Sequence, residues 1–310
     1  MTTLTFTNFG PGIGGTNTQQ CCLGSDGNIW ACDNASNVWK TTPAGVTTLG
    51  GISSVGGVGI CQGSDGYMYV TTEAAGSCQL HKISQSTASE VASYFLFYSS
   101  AIGPCITGPD GNVWFGIGSP AAMVRFDIGT HVNTQFTVSN NSQQYSDGTY
   151  LWSTGDGYFQ RVDMSGTITA WYITSDTTTY SITPDGSGNF WLGGANLYRV
   201  SPSGTLLATI SLPGGASCRG AILGPDGLPW FGDYGNFNLY QVTSSSTFNT
   251  YTFRQSGTSP PNTGGTPAYP ICGAIGSDGN MWWSSYPTTS VTRVTGVTPT
   301  SSGNKIVRLL

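Results

Sequence analysis

Seven copies of one short pattern constrain this chain more than any other feature: an apolar run, an Asp-Gly pair, and a second apolar run closed by an aromatic residue. The copies read GSDGNIW (Gly24 to Trp30), GSDGYMY (Gly63 to Tyr69), GPDGNVW (Gly108 to Trp114), SDGTYLW (Ser146 to Trp152), PDGSGNFW (Pro184 to Trp191), GPDGLPW (Gly224 to Trp230) and GSDGNMW (Gly276 to Trp282). Asp-Gly between apolar runs is a strong hairpin signal, because Gly accepts positive φ without steric cost and Asp caps the turn with its own carboxylate. Each copy therefore joins two strands, a and b. The closing aromatics lie 39, 45, 38, 39, 39 and 52 residues apart, which is the length of a four-stranded unit in a ring of repeated sheets.

A second pattern follows each hairpin, a cation or Gln beside an apolar residue and then a Ser/Gly/Thr turn. Lys40, Lys82, Arg125, Arg161, Arg199, Gln241 and Arg293 mark it and define strand c. The turn leads to strand d, as in Thr167 to Ile173. The spacing predicts an all-β, seven-bladed β-propeller with four-stranded antiparallel blades, in one domain spanning 1–310. Blades 1 to 7 occupy 19–50, 57–98, 101–138, 141–174, 179–212, 218–254 and 271–298, and the N-terminal strand at 3–9 completes blade 7 and closes the ring. A tail at 299–310 is left over. Its strand-like end, Lys305 to Leu310, is expected to add to the closing blade, compete with the N-terminal strand, or pair with another subunit, since exposed strand edges invite pairing.

Composition narrows the function. A net charge of −5 and a pI near 4.7 leave no basic patch to neutralise phosphates, so nucleic acid is not an expected partner. No apolar stretch is long enough to insert in a bilayer, and Met1-Thr2-Thr3-Leu4-Thr5 has neither the basic nor the apolar region of an export signal. Eight cysteines occur without a CxxC pair, which argues against a zinc site of the usual spacing. They read either as small apolar side chains where blades crowd the axis, or as the source of an inter-blade disulfide among Cys21, Cys22, Cys32, Cys61 and Cys78.

The copies GPDGNVWF (Gly108 to Phe115) and GPDGLPWF (Gly224 to Phe231) bring out a family likeness. Across nearly its whole length the chain resembles the virginiamycin B lyase (streptogramin lyase) family of seven-bladed propellers. The resemblance implies an enzyme that opens a cyclic ester by elimination, with a His base and Mg²⁺ held by acidic residues shortly after the Trp-Phe signature. This chain departs from that pattern. The third residue after each closing aromatic is Asp33, Thr72, Ile117, Gly155, Gly194, Asp233 or Ser285, and the fourth is Asn34, Glu73, Gly118, Asp156, Ala195, Tyr234 or Tyr286. The two histidines, His81 and His131, fall at neither position. No catalytic residue, metal or cofactor is therefore expected. Mg²⁺ belongs only to an alternative in which Asp33, Glu73, Asp156 or Asp233 replaces the usual groups of a divergent lyase.

Seven of the fifteen acids are the turn Asp residues, and six of the ten cations recur once per blade on strand c. Both sets read as scaffold. The longest inter-blade connection, Arg254 to Pro270, carries Pro260-Pro261, Gly264-Gly265 and Tyr269, and loops of this length are usually functional or mobile. Beside it fall the b–c loops of blade 6 (Asp233, Tyr234, Asn236, Phe237) and blade 7 (Ser285, Tyr286). Aromatic faces mixed with amides and hydroxyls suit sugar rings, and the same side chains equally suit capping of the core. The expected binding set is Asp233, Tyr234, Asn236, Phe237, Arg254, Tyr269 and Tyr286. The expected function is that of a non-enzymatic structural or recognition propeller that binds a partner protein or a cell-surface glycan. A place in an extracellular assembly such as a bacteriophage virion or tail is favoured over the cytoplasm.

Overall fold

The computed structural model describes residues 2–13, 17–54, 56–73, 78–96, 102–118, 121–138, 142–177, 179–259 and 264–299. Each Asp-Gly pair forms its hairpin, and the seven turn glycines have φ between 74° and 86°, a region closed to most side chains. Six sheets are four-stranded and antiparallel in the order a-b-c-d. Blade 6 is representative, with Cys218–Leu223, Pro229–Asp233, Asn238–Val242 and Phe248–Thr252. The a strands of neighbouring blades touch in sequence around a single axis, from blade 1 through to blade 7 and back. Among the described residues there is no helix, hence none long and apolar enough to cross a membrane.

Ring closure follows the expected scheme and adds to it. Tyr269–Ile275, Met281–Tyr286 and Ser290–Thr295 form strands a to c of blade 7, and Leu4–Phe9 pairs with Ser290–Thr295 as strand d, with Phe6 opposite Val294. The connection after blade 6 is not a plain loop. Gly257–Ser259 pairs outside Leu4–Phe9 as a fifth strand, with Thr258 opposite Thr5, and covers part of the edge that a four-stranded closing blade exposes. Pro260-Pro261 and Lys305 to Leu310 lie outside the described residues.

The once-per-blade charges form one repeated device. In all seven blades the closing aromatic and the strand-c cation or Gln are cross-strand partners, from Trp30 opposite Lys40 to Trp282 opposite Arg293. The indole N–H groups of Trp30, Trp114, Trp152, Trp230 and Trp282 donate to their turn Asp at 2.7–3.1 Å, and the Tyr69 hydroxyl donates to Asp65 at 2.8 Å. Strand c supplies the counter-charge: Lys82 to Asp65 at 2.7 Å and Arg199 to Asp185 at 2.6 Å are the shortest pairs. The turn carboxylates thus lock a and b to c, and their recurrence reflects hairpin construction.

Blade 5 has one extra turn residue, and there Asp185 takes bonds from Arg199, Ser187 and Asn189 instead of the indole. Burial pushes the Asp185 carboxyl upward, but those donors together outweigh it and bring its pKa down to about 2. A carboxyl depressed in the folded state stabilises above its unfolded value near 3.8 and loses that contribution as pH falls through about 2. Asp185→Asn is expected to lower stability at pH 7 by about 1–2 kcal/mol. It should also flatten the acid limb between about pH 4 and pH 2, read by denaturant unfolding at each pH. An unchanged acid limb would exclude this role.

All eight cysteines are free thiols, and Cys21, Cys32, Cys61, Cys78, Cys105 and Cys218 are buried. The inter-blade disulfide considered from the sequence is not formed. Burial raises the thiols of Cys78, Cys105 and Cys218 and pushes Cys32 up to about 12.

Candidate functional site

Strand a does not run straight into its hairpin. In blades 1, 2, 3, 6 and 7 its register against strand b slips, between Thr18 and Cys21, Gly57 and Gly59, Ile102 and Cys105, Cys218 and Gly220, and Pro270 and Gly273. A bulge re-aims the extra residue away from the pleat. The residues released in this way, Gln19, Gln20, Val58, Pro104, Arg219, Ile271 and Cys272, line an axial cavity of about 320 Å³. Blades 4 and 5 complete the wall with Ser142, Gln143 and Tyr180, which immediately precede their a strands. Every blade therefore contributes to one cavity at the end of the ring where the a strands start and the b strands finish.

Bulges leave ladder groups unpaired, and glutamines take them up. The Gln20 side-chain carbonyl accepts from the backbone N–H groups of Ile60 and Cys105 at 2.9 and 3.1 Å, while its amide donates to the Cys105 carbonyl at 3.1 Å. One side chain of blade 1 thereby holds blades 2 and 3. Gln143 likewise accepts from the Ile182 N–H at 3.2 Å, tying blade 4 to blade 5.

Beside the cavity, four of the residues expected from the sequence come together. Tyr269 stacks on Phe237 with ring centroids 4.2 Å apart and on Tyr234 at 4.6 Å, and Tyr286 closes on Tyr234 at 5.5 Å and on Tyr269 at 5.6 Å. All four are half-buried. Phe237 holds φ of 58°, an unfavourable region for a bulky side chain, which turns its ring onto Tyr269. Burial, with a hydrogen bond to Tyr286, raises the Tyr234 hydroxyl above its ordinary value against the pull of Arg219. The Arg219 guanidinium lies over the Tyr234 ring at 4.1 Å and near the Tyr180 ring at 5.5 Å, which joins the aromatic cluster to the cavity.

The other expected binding residues serve the framework. Asp233 is fully buried, and its carboxylate accepts from Ser217 N and Gly235 N at 2.8 Å each and from the Tyr240 hydroxyl at 2.7 Å. Arg254 is 8% exposed and donates to the carbonyls of Gly264 and Gly265 at 2.5 and 2.7 Å, pinning the connection that delivers Tyr269. Asn236 sits half-buried in the loop between Tyr234 and Phe237. Sequence reasoning missed Arg219, whose one signal was a cation on strand a, off the once-per-blade position.

Among the described residues, the carboxylates and histidines of the lyase alternative are not brought together. Asp33 is buried like Asp233, with Ala35 N, Asn37 N and the Asn37 amide on its oxygens at 3.0, 3.0 and 2.7 Å. Glu73 and Asp156 are exposed on the loops of blades 2 and 4. No group of three or more His, Cys, Asp or Glu side chains that could hold a metal occurs among the described residues, so these four carboxylates are not gathered into one ligand cluster. His81 is buried between Thr72 Oγ1 and Glu90 Oε1 at 3.2 Å each, and burial lowers its pKa although Glu90 opposes the shift. His131 sits at the c–d turn of blade 3 against Tyr94 and Phe126. Neither histidine lines the cavity.

A ring of seven antiparallel sheets, closed by an N-terminal strand d and open to one axial cavity, defines a seven-bladed β-propeller. The chain matches no family model and no curated protein sequence. Among solved structures it is similar to a streptogramin B lyase, with a TM-score of 0.79 at 16% identity over 94% of this chain and 98% of that one. It is also similar to virginiamycin B lyase from Staphylococcus aureus, with a TM-score of 0.79 at 18% identity over 95% and 100%. The WD40 propeller domain of Doa1 follows with a TM-score of 0.72 at 10% identity over 94% and 97%. The chain thus has the fold of the virginiamycin B lyases, as its repeat led one to expect. At these identities the likeness defines the fold alone.

Proposed function

We propose that this protein is a recognition propeller that binds a glycan at the axial face of blades 6 and 7, within an extracellular assembly such as a bacteriophage virion or tail. One observation carries the reading: Tyr234, Phe237, Tyr269 and Tyr286, drawn from two blades and the long connection, converge into a single half-buried cluster. Aromatic faces of this kind take up the C–H patches of a sugar ring, while tyrosine hydroxyls and neighbouring amides take its hydroxyl edge. The assembly setting rests on composition, with 8% charged residues in a chain rich in Thr, Ser, Gly and Asn.

Tyr269→Ala removes the ring at the centre of the cluster. On a glycan array followed by calorimetry, it is expected to weaken saccharide binding at least about tenfold, or about 1.4 kcal/mol. Absence of any saccharide signal from the unmodified protein, or an equal signal from the variant, would overturn the assignment.

A further inference from the structure

We propose that the axial cavity is an anion subsite of this glycan site, in which Arg219 holds the carboxylate of an acidic sugar. The inference rests on the glycan reading and specifies its substrate class.

The distribution of cations is the first argument. Of ten basic residues, Lys40, Lys82, Arg125, Arg199 and Arg293 face turn carboxylates, and Arg161 lies over Tyr150 and Trp152. Arg254 is held by loop carbonyls, and Lys305 and Arg308 lie outside the described residues. Among the described cations, Arg219 alone lines the axial cavity. It is exposed, and no ion pair formed among the described residues includes it. The carboxylate opposite its neighbour Cys218, Asp233, is turned onto Ser217, Gly235 and Tyr240.

Placement is the second. Arg219 is the bulged residue between the pairs Cys218–Asp233 and Gly220–Gly232, so the backbone directs it out of the pleat into the cavity. Its guanidinium lies over the Tyr234 ring at 4.1 Å and over the Tyr180 ring at 5.5 Å. A guanidinium stacked in this way keeps its N–H edge for an acceptor in its own plane and gives up little freedom on binding, the arrangement suited to a carboxylate. The protonated Tyr234 hydroxyl brings no competing charge.

The remaining wall decides the kind of anion. Gln19, Ser142 and Gln143 add amide and hydroxyl groups beside the single cation, and the stacked Tyr269 and Phe237 lie just beyond Tyr234. One charge, several neutral donors and adjoining ring faces match a saccharide with one carboxylate. An acidic peptide, with charge repeated along its length, would call for several cations. The cavity volume of about 320 Å³ falls at the small end of ligand pockets.

Calorimetry with sialyllactose and lactose as paired probes tests the inference on the full chain. Unmodified protein is expected to bind sialyllactose about 10- to 100-fold more tightly than lactose, the range of a charge-assisted hydrogen bond. Arg219→Gln should bring that ratio close to one, Arg219→Lys should retain part of it, and added salt should erode it. Circular dichroism melts of both variants confirm folding. If both sugars bind equally, or the ratio survives Arg219→Gln, the anion subsite is refuted and the glycan reading stands. If neither sugar binds while a Glu-rich peptide binds through Arg219, both assignments fall.

Discussion

Deleting residues 2–9 is expected to abolish cooperative folding at 25 °C. Leu4 and Phe6 are 0% and 2% exposed and pack with Trp230, Tyr251, Phe253, Met281 and Trp283, so the N-terminal strand seals the core between blades 6 and 7. Losing two such side chains costs about 2–5 kcal/mol each once the cavity left behind is included. The deletion also strips the pairing of Leu4–Phe9 with Ser290–Thr295 on one side and with Gly257–Ser259 on the other. The sum approaches the roughly 5–15 kcal/mol total stability of a folded domain. Adding a peptide of residues 2–9 in trans is expected to restore part of the transition, because a strand that binds only the folded ring shifts the equilibrium toward it by mass action. A truncated chain whose melting temperature falls by less than about 5 °C would show that closure is not what holds the ring together.

Asp233→Ala carries the second-largest expected effect, a loss of about 3–4 kcal/mol, because it orphans two part-buried backbone N–H groups and the buried Tyr240 hydroxyl and removes charge-assisted bonds. Those bonds fix the loop bearing Tyr234 and Phe237, so saccharide binding should weaken along with stability. Urea unfolding measures the first effect and calorimetry the second. A metal-ligand role makes a different prediction. It would give a melting temperature that rises with Mg²⁺ in the unmodified protein and no longer does so in the variant. A wholly structural Asp233 leaves both proteins indifferent to the ion, and a Mg²⁺-dependent difference between them would restore the lyase alternative.

The contrast between Asp233 and Tyr269 marks the limit of what the sequence reveals about the site. Both sit on segments expected to bind, and both are polar-tipped side chains near a long connection. Only the register of strands a and b shows that one faces its own backbone and the other an aromatic cluster. Arg254 follows the same logic, since a loop cation reads identically whether it meets solvent or the carbonyls of Gly264 and Gly265. Arg219 was illegible for another reason. A bulge is a two-strand mismatch, and nothing within the segment Cys218 to Leu223 announces that its partner strand will be one residue short.

The seven hairpins, the strand-c counter-charges and the identity of the closing strand are legible in the residues alone. Each depends on local turn chemistry or on cross-strand neighbours, and those recur at a fixed spacing. The tertiary structure alone decided the fifth strand at Gly257–Ser259, the free state of the cysteines and the axial cavity with Arg219 at its wall. These arise where strands from different blades meet, and which groups are left facing the axis depends on register shifts summed around the whole ring.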